Sequence, residues 1–180
     1  MIVILSFGPR YLPDTLSEKL VPQLEETFHG LDILVFNPDY VIKHLDATYK
    51  DLRQRVQVMR DGGKALFRRD FVQIRKIFRL ALHSERDMLI VEGFIVGIRT
   101  LREWEGIRWR RATQFSFFDY IDNPPKATPQ KERYHKKMTS YLKNRRTDRI
   151  QGIVSFRNLH SNVVSILRAK GARELTAVYA

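Results

Sequence analysis

The sequence predicts an α/β fold, a single three-layer domain whose mostly parallel, five-stranded sheet is flanked by helices. Three observations predict it. Runs of mainly apolar, β-prone residues without polar alternation recur along the chain, at residues 1–7 (MIVILSF), 31–36 (LDILVF) and 88–91 (MLIV), and such runs belong to strands covered on both faces. Between them lie segments whose apolar residues fall three and four apart, the spacing of amphipathic helices. Strands alternating with helices in this way build parallel sheets through crossover connections. The length of 180 residues suits one domain over residues 1–180 with a sizeable core.

The elements follow in order. After the strand at residues 1–7, Gly8, Pro9, Tyr11 and Pro13 break the chain. Asp14 or Thr15 then caps a helix with Leu16, Leu20, Leu24 and Phe28 on its apolar face, ended by Gly30. The strand at 31–36 stops at Asn37-Pro38 and completes a βαβ unit with a right-handed crossover. Residues 40–59 read as one polar helix, broken at Asp61-Gly62-Gly63. A helix over 69–83 places Phe71, Ile74, Ile77, Phe78, Ala81 and Leu82 on one face and Arg68, Arg75, Lys76 and Arg79 toward the other.

The strand at 88–91 ends at Glu92-Gly93, and residues 94–111 read as helix, then loop. A fourth strand, 115–121 (FSFFDYI), is stopped by Asn123-Pro124-Pro125. A very basic helix over 129–149 and a more amphipathic one over 155–170 follow. Gly171 caps the second, and the last strand is expected at 175–179.

Thirty-two Lys and Arg against twenty Asp and Glu leave a net charge of +12, which draws a polyanion at long range and points to nucleic acid or a nucleotide as partner. With no cysteine, disulfides, thiolate metal sites and a cysteine nucleophile are excluded. A cytoplasmic location is the simplest expectation. The apolar run at residues 1–7 is too short for a signal peptide, and no stretch is long enough to span a membrane.

Parallel α/β sheets bind ligands at the carboxyl ends of their strands, which directs attention to four segments. The first strand ends in Gly8-Pro9-Arg10-Tyr11-Leu12-Pro13-Asp14-Thr15 (GPRYLPDT), with the length and end residues of a phosphate-binding Walker A loop. Pro13 and Asp14 stand where that motif has Gly and Lys, removing one backbone donor and adding a negative charge. The second strand ends in Asn37-Pro38-Asp39-Tyr40, the third in Glu92-Gly93, and the fourth in Tyr120-Ile121-Asp122-Asn123-Pro124, before the basic helix. Taken in this order, the segments resemble P-loop kinases, with polynucleotide and nucleoside kinases the nearest relatives in function, and a degenerate Walker A loop.

That resemblance implies a phosphotransferase acting on nucleic acid or a nucleotide, using ATP or GTP and Mg2+. Asp39 is implied as the base that activates an acceptor hydroxyl; its competing role is turn-former and helix cap after Pro38. Glu92, with Thr15, is implied at the metal, against a plain strand-end carboxylate. Gly8, Pro9, Arg10 and Thr15 would hold the phosphates, with Arg10 as the replacement for the missing lysine and as a catalytic cation. Arg145, Arg146 and Arg149, in a lid-like basic segment at about 126–150, would neutralise phosphate charge. Lys131, Arg133, Lys136 and Lys137 would track a nucleic-acid backbone, or form a solvated basic face.

The alternative is a non-catalytic relative that binds DNA, RNA or a partner protein through its basic face. Trp104, Trp109 and Tyr134 lie among cations, where rings stack unpaired bases or simply pack. Lys64 is a further candidate phosphate donor beside Gly62-Gly63. The five histidines have no metal-ligand spacing.

Overall fold

The computed structural model describes residues 1–7, 16–61, 66–84, 86–94, 96–107, 113–118, 128–144, 150–153 and 155–175. Strand β1 (Ile2–Phe7) is followed by α1 (Leu16–Glu25) and β2 (Ile33–Phe36). Helices α2 (Pro38–His44), α3 (Lys50–Arg60) and α4 (Arg68–Leu82) then lead to β3 (Met88–Val91). The remainder is α5 (Ile98–Glu105), β4 (Thr113–Phe118), α6 (Pro129–Lys143), β5 (Ile150–Ile153) and α7 (Phe156–Ala169). The sheet runs β2-β3-β1-β4-β5, and every pairing is parallel.

Strand β1 sits between β3 and β4 and shows why its sequence lacks alternation. Ile2 and Ile4 face α1 and α7, packing with Leu16, Leu20, Leu24, Leu159 and Val163. Val3 and Leu5 face the other layer, with Phe36, Phe71, Phe78, Trp104, Met138 and Leu142. Both side-chain sets of a period-two strand are therefore buried. Helices α1 and α7 cover one face of the sheet, and residues of α2 through α6 cover the other.

Several elements depart from the sequence expectations. The helix expected over 40–59 is two helices. Between them Asp46 Oδ1 accepts from the Thr48 N–H at 2.9 Å and the Thr48 hydroxyl at 3.0 Å, a local side-chain turn that competes with helix. The Thr48 backbone bond, then its hydroxyl, holds the Asp46 carboxyl below its ordinary pKa. Helix α1 ends at Glu25, and Phe28 pairs with Glu174 in an isolated antiparallel bridge. The strand beside β4 is Ile150–Ile153; of the strand expected at 175–179, all but Leu175 lies outside the described residues.

Trp104, for which the sequence offered base stacking or packing, is 1% exposed. It stacks on Phe78 with ring centroids 5.3 Å apart and meets Phe71 and Phe94 edge-on, so it is a core residue. Trp109 lies outside the described residues. No described helix is long and apolar enough to cross a membrane.

Candidate functional site

Strands β1 and β3 are neighbours, yet the chain leaves them for opposite faces, to α1 after β1 and to α5 after β3. A crevice opens at the carboxyl ends of such a pair, the place where open α/β sheets bind ligands.

Glu92 stands at this point. It follows the last residue of β3, and its backbone N–H donates to the Phe36 carbonyl of β2 at 3.1 Å. Its side chain reaches across to the start of α1. There the Ser17 backbone N–H donates to Oε2 at 2.8 Å, and the Ser17 hydroxyl donates to Oε1 at 2.5 Å. Glu92 is 4% exposed; a buried carboxylate needs such donors. The first-turn N–H groups and dipole of α1 favour negative charge at the same place. Because the Ser17 hydroxyl spends its proton on Glu92, it acts as an acceptor toward other groups.

Asp39 lies in the first turn of α2, capped by Asn37, whose Oδ1 accepts from the Tyr40 N–H at 2.9 Å. Asn37, and not Asp39, is thus the capping residue. Asp39 Oδ1 accepts from Arg60 Nη1 at 2.6 Å, and Arg60 Nε donates to Asp61 at 3.0 Å. The bonds to Asp39, then Asp61, hold the Arg60 guanidinium above its ordinary pKa. The pair is largely exposed, so water and salt screen it and it contributes little to stability.

Gly93 brings the two carboxylate-bearing strand ends together. Its φ is +78°, and a Cβ there would stand 2.8 Å from Pro38 Cδ, against a ring that cannot swing aside. Gly93→Ala is expected to cost about 2 kcal/mol, from left-handed backbone strain plus this contact. Urea denaturation checks it; a loss below about 0.5 kcal/mol would mean the loop relaxes without strain.

The basic helix contributes a second surface. On α6, Arg133, Lys136 and Lys137 are exposed, while Met138 and Leu142 are fully buried and anchor the helix on the sheet. Lys131 lies on the same helix. A groove of about 600 Å³ runs between α5 and α6, lined by Ile98, Arg102, Lys136, Lys137, Tyr141 and Asn144 among others. The Arg102 guanidinium lies 5.4 Å from the Tyr141 ring centroid, within cation–π range.

Also on α6, burial holds His135 below its ordinary pKa of 6.5. The unfolded chain therefore binds the proton more readily, and stability from this residue is full above the unfolded pKa and declines as pH falls through it. His135→Gln is expected to flatten the fall in melting temperature between about pH 7 and pH 5. An unchanged profile would show that His135 does not contribute to the slope.

The structure thus brings Asp39 and Glu92 to the carboxyl ends of adjacent strands, and keeps Arg133, Lys136 and Lys137 together on α6. Gly8, Pro9, Arg10, Thr15, Lys64, Asp122, Arg145, Arg146 and Arg149 lie outside the described residues. Ser17 and Arg60 were missed in the sequence. Ser17 was detectable as a hydroxyl two residues beyond Thr15 in the first turn of the helix; Arg60 carried no signal, since only the packing of α3 brings it to Asp39. Among the described residues, no three or more His, Asp or Glu side chains converge as a metal cluster. The chain matches no protein-family model, and no curated protein matches it.

Proposed function

We propose that this chain is a kinase-like phosphotransferase with a P-loop kinase-like fold, moving a phosphoryl group from ATP or GTP to a hydroxyl of a nucleic acid or nucleotide. The observation that carries the reading is the Glu92–Ser17 pair, a buried carboxylate and a hydroxyl joined across the switch point at the start of α1. Oxygen donors of this kind suit magnesium, which keeps several of its waters. Glu92 and Ser17 are the described residues that would hold the ion or its waters. Bound there, Mg2+ would neutralise charge on the transferring phosphate.

Asp39 is the proposed base. With Oδ1 held by Arg60, Oδ2 takes the proton of the acceptor hydroxyl as that oxygen bonds to the γ-phosphorus and the diphosphate leaves with the bridging electron pair. Arg60 orients the carboxylate. Arg10, Arg145, Arg146 and Arg149 are the proposed phosphate-neutralising cations.

Calorimetric titration with ATP and GTP, with and without Mg2+, followed by transfer to a 5′-hydroxyl oligonucleotide, tests the proposal. Asp39→Asn is expected to keep nucleotide binding and lose about 10²–10⁴-fold in turnover. Glu92→Gln is expected to weaken the magnesium dependence of binding. No nucleotide binding by the unaltered chain would sink the reading.

A second reading, non-catalytic binding of DNA, RNA or a partner through the basic face, is favoured by Pro13 and Asp14 in the first loop and by exposed Arg133, Lys136 and Lys137. It expects salt-steep polyanion binding without turnover.

A further inference from the structure

The groove between α5 and α6 holds chemistry that phosphate transfer at Glu92 does not use. Arg102, Lys136 and Lys137 border it, and no carboxylate is among the described residues lining it. Its aromatic wall is held from beneath. The Ser116 hydroxyl on β4 donates to Glu105 Oε1 at 2.7 Å, and the Tyr141 hydroxyl donates to Glu105 Oε2, also at 2.7 Å. Glu105 is 5% exposed, so the phenol is anchored on a buried carboxylate tied to the sheet. Tyr141 in turn carries the exposed Arg102 guanidinium over its ring.

A guanidinium parked over a pinned ring is a flat cationic platform ordered before any ligand arrives, which lowers the cost of binding a planar group. Lys136 and Lys137 stand beside it on α6, suited as point charges to phosphates. Asn144 supplies both a donor and an acceptor, as a base edge requires.

We infer that this groove binds single-stranded nucleic acid, one base stacking on the Arg102–Tyr141 platform and the neighbouring phosphates lying along Lys136 and Lys137. The inference rests on the polynucleotide part of the proposed function and needs no phosphate transfer. A concave groove of about 600 Å³ admits a strand, whereas a duplex is read by a convex element entering its own groove. An acidic peptide would satisfy the lysines and leave the flat platform without a planar partner. An anionic membrane calls for projecting apolar residues, and Ile98 is half-buried within the groove.

Fluorescence anisotropy with a labelled oligothymidylate of about 15 nucleotides, across a range of salt, tests this. Arg102→Ala is expected to weaken binding about tenfold, the loss of one base stack. The pair Lys136→Ala and Lys137→Ala is expected to lower the log–log salt slope by about 1.4, at about 0.7 per phosphate on a single strand. Tyr141→Phe, which keeps the ring and removes its bond to Glu105, is expected to lose about threefold through a less ordered platform.

Arg157→Ala removes one charge from exposed α7 on the opposite face and is expected to stay within about twofold. Equal losses at Arg102 and Arg157 would overturn the inference. So would a duplex of the same sequence binding as tightly as the single strand, or displacement of the strand by polyglutamate or phosphatidylserine vesicles at equal charge. Intact oligonucleotide binding without any nucleotide binding rejects the transferase reading alone; nucleotide binding with no effect at Arg102 rejects the groove alone.

Discussion

Gly152→Ala is expected to destabilise the fold by about 3 kcal/mol and to shift α6, because β5 and the end of that helix touch through backbone. Gly152 pairs with Ser116 of β4. A Cβ at Gly152 would overlap the Leu142 carbonyl oxygen and stand 2.8 Å from its carbon and 3.1 Å from its Cα. Backbone cannot change rotamer, so α6 must retreat bodily or β5 must leave β4. Either movement strains the anchorage of Met138 and Leu142, both fully buried, and displaces Tyr141 beside them. The measurement is a urea midpoint together with oligonucleotide anisotropy, and both should worsen. Unchanged stability would mean that β5 is not packed under α6 as described.

Asp70→Ala is expected to cost a similar amount, about 3 kcal/mol, by a different mechanism. Asp70 is 2% exposed at the start of α4. It accepts from Arg55 Nη2 at 2.8 Å, from Arg55 Nε at 3.2 Å and from the Phe67 N–H at 3.1 Å. The bond to Asp70 is the first cause holding the Arg55 guanidinium above its ordinary pKa. Removing the carboxylate strands the Phe67 donor and breaks the link between α3 and α4. Arg55 keeps about a third of its side-chain surface in water, at 34%, so it is partly resolvated and the loss falls at the low end for broken buried pairs. Asp70→Asn, which still accepts from Phe67, is expected to lose about half as much. If alanine and asparagine prove equally mild, the pair is ornamental and α3 is held by Leu52, Val56 and Met59 alone.

Most of the framework was legible because its signals are local. The doubly buried strands β1 and β3 announced themselves as unbroken apolar runs, and α4 as an amphipathic helix whose inner residues Phe71, Ile74, Ile77, Phe78 and Ala81 are buried. The break between α2 and α3 was also written locally, in the Asp46–Thr48 turn, but the polar helical pattern around it masked the signal. Strand β5 was not legible. Its four residues, Ile150, Gln151, Gly152 and Ile153, are too short a run, and interrupted by a glycine, for the two isoleucines to mark a strand; they form one because β4 offers an edge and α6 lies over it. The sequence left Trp104 open between stacking and packing, because Arg99, Arg102 and Arg108 lie near it along the chain, while its neighbours in space are Phe71, Phe78 and Phe94.

The candidate site divides in the same way. Asp39 and Glu92 could be singled out from sequence because carboxylates that close apolar runs stand at strand ends, and strand ends in parallel sheets converge. The sequence by itself therefore determined the α/β class, the apolar interior, the excess of positive charge and the two carboxylates. Only the tertiary structure decided their partners: Ser17 for Glu92, Arg60 for Asp39, and Glu105 with Arg102 for Tyr141. The sequence separations of the first two pairs are 75 and 21 residues, and nothing in local periodicity reports which distant side chain a sheet order and a helix crossing will bring within hydrogen-bond distance.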